Sequence, residues 1–173
     1  YKIVCGNSLI GLPGQGADRY PQVCDELEKL KEVFYDITDE KKKKELRKEI
    51  NKKIQEVLET ASDFEGYKID FDFKLFFSEV WREKGGFDVV IGNPPYGADF
   101  SIEEKNILKN LFQTIKGQPE SYEYFIFQAI DQLCNNIGCL TFINPTNFIE
   151  SKRAEDLRVY ILNSGLISII SNF

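Results

Sequence analysis

Residues 85–100 read GGFDVVIGNPPYGADF. Phe87-Asp88-Val89-Val90-Ile91 has the apolar, β-branched make-up of a buried strand, and it runs directly into Gly92-Asn93-Pro94-Pro95-Tyr96. Proline fixes its own φ and confines the residue before it to extended conformations, so Asn93 is held out of the helical region. Two successive prolines also remove two backbone N–H donors. The loop is therefore rich in acceptors, namely the Asn93 amide oxygen and the Pro94 carbonyl, and Tyr96 adds a flat aromatic face.

The rest of the chain supplies a frame for that strand. Lys2–Cys5 reads as a short apolar strand closed by Gly6-Asn7-Ser8, and Gly11–Asp18 as a loop. Gly14-Gln15-Gly16 does not make a nucleotide-binding glycine loop, because a proline and further turn residues separate it from the strand. Leu27, Leu30 and Phe34, then Leu46, Ile50, Ile54 and Leu58, recur at helical spacing, so residues 20–62 form a charged hairpin of two amphipathic helices. The lysines at 41–44 solvate its exposed face, balanced by Asp39, Glu40, Glu45 and Glu49. The same cluster resembles the acidic-plus-lysine pattern of metal-dependent nucleases, a match that a charged helix produces by chance.

Residues 68–81, KIDFDFKLFFSEVW, read as an extended segment that lays Phe71, Phe73, Phe76, Phe77 and Trp81 against the domain. Ser101 and Glu104 form a capping box that opens a helix to about 115. Pro119 opens another, to about 136, with Gly138 as its stop. A strand Cys139–Ile143, a helix over about 152–163 and a last strand over 166–170 follow. Strands separated by helices imply an α/β fold with a mostly parallel sheet.

The composition narrows the chemistry. The chain has 173 residues and no histidine, which excludes a serine–histidine or cysteine–histidine nucleophile. Its four cysteines include no CxxC pair, so no zinc site is expected; they read as reduced and mostly buried in a cytoplasmic protein. No apolar run approaches the ~20 residues of a membrane span. A net charge of −6 argues against non-specific nucleic-acid binding by this chain itself. Methionine is absent, and the chain reads as an internal piece of a longer protein.

In parallel α/β sheets ligands bind beyond the carboxyl ends of the strands, where Gly92–Tyr96 lies. Two fixed acceptors beside an aromatic plate suit the exocyclic amino group of a nucleobase. That nitrogen is a poor nucleophile because its lone pair is delocalised into the ring. Acceptors that hold its hydrogens favour a tetrahedral nitrogen able to attack a methyl group, without a strong base. Stacking on Tyr96 would contribute roughly 1–3 kcal/mol, comparable with the few kcal/mol needed to flip a base. A stacking role leaves the tyrosine hydroxyl dispensable.

FDVVIGNPPYG resembles the catalytic motif of amino-group DNA methyltransferases, above all the adenine-N6 enzymes. YKIVCGNSL, residues 1–9, is similar to the segment that ends their third strand, and YEYFIFQAIDQL with GCLTFINPTNF to the helix, strand and loop after the motif. The hairpin and FDFKLFFSEV are similar to type IIG restriction–modification enzymes, which fuse nuclease and methyltransferase. The resemblance implies a partial Rossmann-like, S-adenosylmethionine-dependent methyltransferase fold, with an incomplete catalytic domain over 1–173 and the hairpin as an insertion. It implies that Asn93 and Pro94 orient the target amino group, that Pro95 shapes the loop and that Tyr96 stacks on the base. Asn7 would meet the cofactor adenine, at a position where the family often has aspartate. The family's glycine-containing cofactor motif and its ribose-binding acidic residue have no counterpart here. The chain alone is therefore expected to be inactive, with double-stranded DNA held by regions outside it.

Three other readings remain at this level. Protein-glutamine methylation uses the same NPPY, though the long charged hairpin counts against it; RNA methylation is another. A non-catalytic module would bind a partner through the hairpin and keep NPPY as a rigid turn. The family's sheet order, 3-2-1-4-5-7-6, also leaves strand 87–91 with an unpaired edge in this chain, so self-association is expected.

Overall fold

The computed structural model describes residues 3–165 apart from 15, 114, 116 and 118. The strand expected over 166–170 lies outside the described residues. The chain divides into two compact units, Tyr1–Glu83 and Lys84–Phe173.

The first unit is built on the helical hairpin. α1 spans Pro21–Asp36, with its proline at the first position, where a missing N–H costs nothing. α2 spans Glu40–Glu65 and is capped by Asp39, whose carboxylate accepts the N–H groups of Lys41 and Lys42 at 2.9 and 3.1 Å. It stops at Gly66 in the left-handed conformation, φ 75°. Leu27, Phe34, Ile50, Ile54 and Leu58 are buried along the facing stripes, in one core with Leu12, Ile69, Phe71, Leu75 and Phe76. Lys41, Lys42 and Lys44 are exposed, while Lys43 and Arg47 extend over the Phe34 ring at 5.2 and 5.6 Å. Asp39 is thus a helix cap and its lysine neighbours a solvated face.

The segment 68–81 departs from the extended reading. Only its first part is extended; α3 then spans Phe73–Phe76 and α4 spans Ser78–Lys84. Asp72 starts this turn, accepting the Leu75 N–H at 2.9 Å and, with its other oxygen, the Leu12 N–H at 3.2 Å. One carboxylate therefore caps a helix and pins the Gly11–Asp18 loop, whose Leu12 and Ala17 are buried. Crowded aromatics suggested a strand, but Phe73 and Phe76 sit one turn apart behind an N-cap. Burial pushes the Asp72 carboxyl above the ordinary range, and its N–H partners oppose the shift. α4 is tied to α1 by Lys31, which is buried and donates to the Phe76 carbonyl at 2.6 Å and to Glu79 at 2.7 Å, and by an ion pair between Glu28 and Arg82.

The second unit holds a small parallel sheet. β1 spans Phe87–Gly92 and β2 spans Cys134–Phe142, paired in parallel from Phe87–Cys134 to Gly92–Phe142. Between them lie α5, Ile102–Leu111, opened by the expected Ser101–Glu104 capping box, and α6, Ser121–Gln128. α6 continues as a π-helical turn over Ala129–Leu133. α7 (Asn147–Glu150), a 3₁₀ turn (Lys152–Ala154) and α8 (Glu155–Ser164) follow β2.

Several boundaries differ from the sequence reading. The helix after Pro119 ends before 136, and β2 begins at Cys134 rather than Cys139. Residues 135–138 form an irregularity in the ladder, since Phe87 pairs with Cys134 but Val89 with Cys139. Asn135 donates its amide to Asp88 at 2.8 Å, and a Cβ on Gly138 would lie 2.9 Å from the Phe87 carbonyl. Gly138 therefore permits a close approach between strands and is not a helix stop. Ile3–Cys5 has no strand partner among the described residues and forms no strand, because an extended segment needs a neighbour to satisfy its backbone. β1 is less buried than its composition suggests, with Val89 and Ile91 62% and 78% exposed, since β2 is its one neighbour among the described residues. The cysteines are free, as expected, but Cys5 and Cys139 are exposed and Cys24 and Cys134 only partly buried, which corrects the buried reading. Among the described residues no helix is long and apolar enough to cross a membrane.

Three outcomes follow for stability. Ile54→Ala should cost about 2–5 kcal/mol by denaturant titration, and Lys44→Ala less than about 0.5 kcal/mol. Asp72 has a folded pKa raised above its unfolded one, so its contribution is most favourable at low pH and is lost as pH rises through the carboxylate range. The stability of Asp72→Asn, measured against pH, should therefore fall less steeply over that window than that of the parent chain.

Candidate functional site

β1 and β2 end side by side. Gly92 is in register with Phe142, and the Ile143 N–H donates to the Gly92 carbonyl at 3.3 Å, one rung beyond β2. The loops starting at Asn93 and Ile143 therefore leave the sheet at the same level, at the carboxyl ends of two parallel strands. A Cβ on Gly92 would lie 3.0 Å from the Phe142 ring, which accounts for a glycine as the last residue of the strand. Past it, Pro94 is buried while Asn93, Pro95 and Tyr96 are exposed. The structure thus brings the four predicted loop residues together and turns the amide and the aromatic ring outward.

A loop with two prolines cannot hold itself by its own N–H groups, and it is fastened from behind by a residue the sequence reading missed. Ser121, at the start of α6 and 2% exposed, donates its hydroxyl to the Pro95 carbonyl at 2.6 Å and accepts the Ala98 N–H at 3.3 Å. A serine at a helix start ordinarily reads as an N-cap. Here Glu120 occupies the cap position, so the Ser121 hydroxyl is free to close the loop. Next to it, Tyr122 is buried and stands edge-on to Tyr96, with ring centroids 6.4 Å apart. Burial, reinforced by Glu123 and Glu120, pushes the Tyr122 phenol up to about 12, and burial also raises the Glu123 carboxyl. Tyr122 is consequently neutral at physiological pH.

Tyr96 makes two further contacts. Its hydroxyl is 2.9 Å from Asn93 Oδ1 and 2.7 Å from the Ile143 carbonyl, so it bridges the two strand-end loops. In the second loop, Asn144 Oδ1 is buried and has no hydrogen-bond partner among the described residues. A buried amide oxygen left unpaired is costly, and it marks this loop as another polar edge of the site.

Asn7 belongs to the first unit. Its Oδ1 accepts the N–H groups of Leu9 and Ile10 at 3.1 and 3.2 Å, and its own N–H donates to Asp70 at 2.8 Å. Both lone pairs of that oxygen are used in its own turn, so the side chain retains only its NH₂ for a ligand. Asn7 is therefore able to donate to a ring nitrogen of an adenine but not to accept from its amino group. Among the described residues no group of His, Cys, Asp or Glu could hold a metal ion. A depression lined by Lys84, Asp88, Asn135 and Ile137 lies at the opposite end of the strands.

The family model of the Eco57I restriction-modification methylase matches residues 16–173. The type II methyltransferase M.AccI of Acinetobacter calcoaceticus is 32% identical over 130 residues, covering 68% of this chain and 23% of that protein. A putative type II restriction enzyme and methyltransferase of Methanocaldococcus jannaschii, RM.MjaORFECS2P, is 35% identical over 114 residues, 65% of this chain and 9% of its own length. The type II restriction enzyme and methyltransferase RM.Eco57I of Escherichia coli is 30% identical over 92 residues, 50% of this chain and 9% of its own length. The chain thus spans between 9% and 23% of these relatives. No solved structure matches it.

The Ser121 clamp has a measurable consequence. Ser121→Ala should cost about 1–3 kcal/mol by leaving two loop groups unpaired, and should speed hydrogen exchange at the Ala98 amide while that of β1 is unchanged. Unaltered exchange at Ala98 would show that the hydroxyl does not hold the loop.

Proposed function

Because the chain belongs to the Eco57I restriction-modification methylase family, we propose that it forms part of the catalytic domain of a DNA adenine-N6 methyltransferase in a restriction–modification system. The observation that supports this most is the Asn93–Tyr96 loop at the end of a parallel strand, with its amide and ring exposed and its backbone fastened by Ser121. The activity, the DNA partner and a cytoplasmic location are proposed for the whole protein, and the matched relatives are several times the length of this chain.

In this reading the target adenine leaves the duplex and stacks on Tyr96. The Asn93 amide oxygen and the Pro94 carbonyl accept the two hydrogens of its amino group, drawing the nitrogen towards a tetrahedral geometry with its lone pair free. S-adenosylmethionine supplies an electrophilic methyl group. In the first unit, the Asn7 NH₂ is suited to an acceptor nitrogen of the cofactor adenine. The fixed loop keeps the backbone of Asn93 and Pro94 in place before the base arrives, so little of it has to reorganise. The surplus amino proton passes to solvent at the exposed mouth of the loop.

Asn93→Ala in the full-length protein should abolish formation of N6-methyladenine in DNA, measured by nucleoside mass spectrometry, while cofactor binding by calorimetry stays within about threefold, since Asn93 meets the base. Normal methylation by that variant would refute the assignment.

A further inference from the structure

We infer that the Tyr96 hydroxyl is a positioning group, which sets the orientation of the Asn93 amide and so decides whether its oxygen is available to the target. This rests on the reading of Asn93 as the holder of the target amino group. It goes beyond stacking, which needs only the ring.

A phenol has one proton. Here two oxygens face it, the Ile143 carbonyl at 2.7 Å and Asn93 Oδ1 at 2.9 Å. The carbonyl can only accept, it is the nearer of the two, and it is held at the strand end because the Ile143 N–H is bonded to Gly92. The phenol proton therefore belongs to Ile143. What the phenol then turns towards Asn93 is a lone pair, and two lone pairs in apposition repel.

A half-turn of the Asn93 amide about its Cβ–Cγ bond removes the conflict. It places Nδ2 against the phenol oxygen as a donor and frees Oδ1. The two settings are nearly equal in shape, so sterics do not choose between them and hydrogen bonding does. With Oδ1 on the phenol, the acceptor needed for the amino group is engaged. With Nδ2 on the phenol, the chain of bonds runs Asn93 NH₂ to Tyr96 to Ile143, each donor meets an acceptor, and Oδ1 is free. The backbone of Asn93 is already fixed by Pro94, and the far side of the loop by Ser121. Rotation of the side chain is the freedom that remains, and the Tyr96 hydroxyl chooses which end of the amide faces it. Because that hydroxyl is tethered to β2 through Ile143, the amide is referenced to the sheet and not to a mobile side chain.

The test uses the full-length protein, unmethylated plasmid DNA and tritium-labelled S-adenosylmethionine. Tyr96→Phe keeps the ring and removes the hydroxyl. It should lower kcat by about tenfold, the scale of one lost hydrogen bond, and leave KM for DNA within about twofold. Tyr96→Ala should lower kcat and also raise KM, because the stacking surface is gone. Added to Asn93→Ser, Tyr96→Phe should cost little more, since residues acting through one another are not additive. Parent-level kcat in Tyr96→Phe, or a rise in KM equal to that of Tyr96→Ala, would overturn the inference. If Tyr96→Phe turns over normally while Asn93→Ala is dead, only the positioning role fails. If Asn93→Ala itself methylates normally, the reading of Asn93 fails and this inference with it.

Discussion

The last rung between β1 and β2, from the Ile143 N–H to the Gly92 carbonyl, is the interaction on which the candidate site depends. Parallel strands cannot be joined by a tight turn, so both leave the sheet in the same direction and their following loops share one mouth. Because this rung closes the ladder, Asn93 and Ile143 begin those loops as neighbours. A slip of one residue in the register would turn every side chain of one strand to the other face and separate Tyr96 from the Ile143 carbonyl. Gly92 permits this ending, since any side chain there would meet the Phe142 ring.

The loop beyond it is stiff for covalent reasons but not self-supporting. Pro94 and Pro95 restrict the backbone and also deprive it of donors, so its carbonyls must find partners elsewhere. The partners are hydroxyls. Ser121 takes the Pro95 carbonyl and the Ala98 amide from the buried side, and Tyr96 reaches the neighbouring strand from the exposed side. Hydroxyl groups suit this duty because each can donate and accept at once. The result is a rigid rim with an amide and an aromatic face open to solvent.

The first unit is organised by a different balance. Its helices present lysines and glutamates to water, yet α1 also buries Glu28 and Lys31 against α4. Each has a partner, Arg82 for one and Glu79 with the Phe76 carbonyl for the other. Such pairs add little net stability, but losing one member would leave a buried charge uncompensated. They therefore specify how α4 docks on the hairpin more than they strengthen it. Asp72 acts likewise, since its two oxygens serve a helix start and a distant loop.

How much of this was legible in the chain differs from element to element. The hairpin was, because Leu27, Phe34, Ile50, Ile54 and Leu58 repeat at helical spacing. The strand into Asn93-Pro94-Pro95-Tyr96 was legible for the same reason, as proline and glycine act on the backbone next to them. The segment 68–81 was misjudged because crowded aromatics carry no single period, and only the N-cap at Asp72 reveals the helix. The irregularity at 135–138 was invisible, since it exists only opposite Phe87. Ser121, the partners of the Tyr96 hydroxyl and the engaged oxygen of Asn7 were likewise beyond reach. Backbone restriction, periodicity and caps are local properties and can be read along the sequence. Which polar atoms meet across the fold depends on strand register and helix docking, and only the tertiary structure decides those.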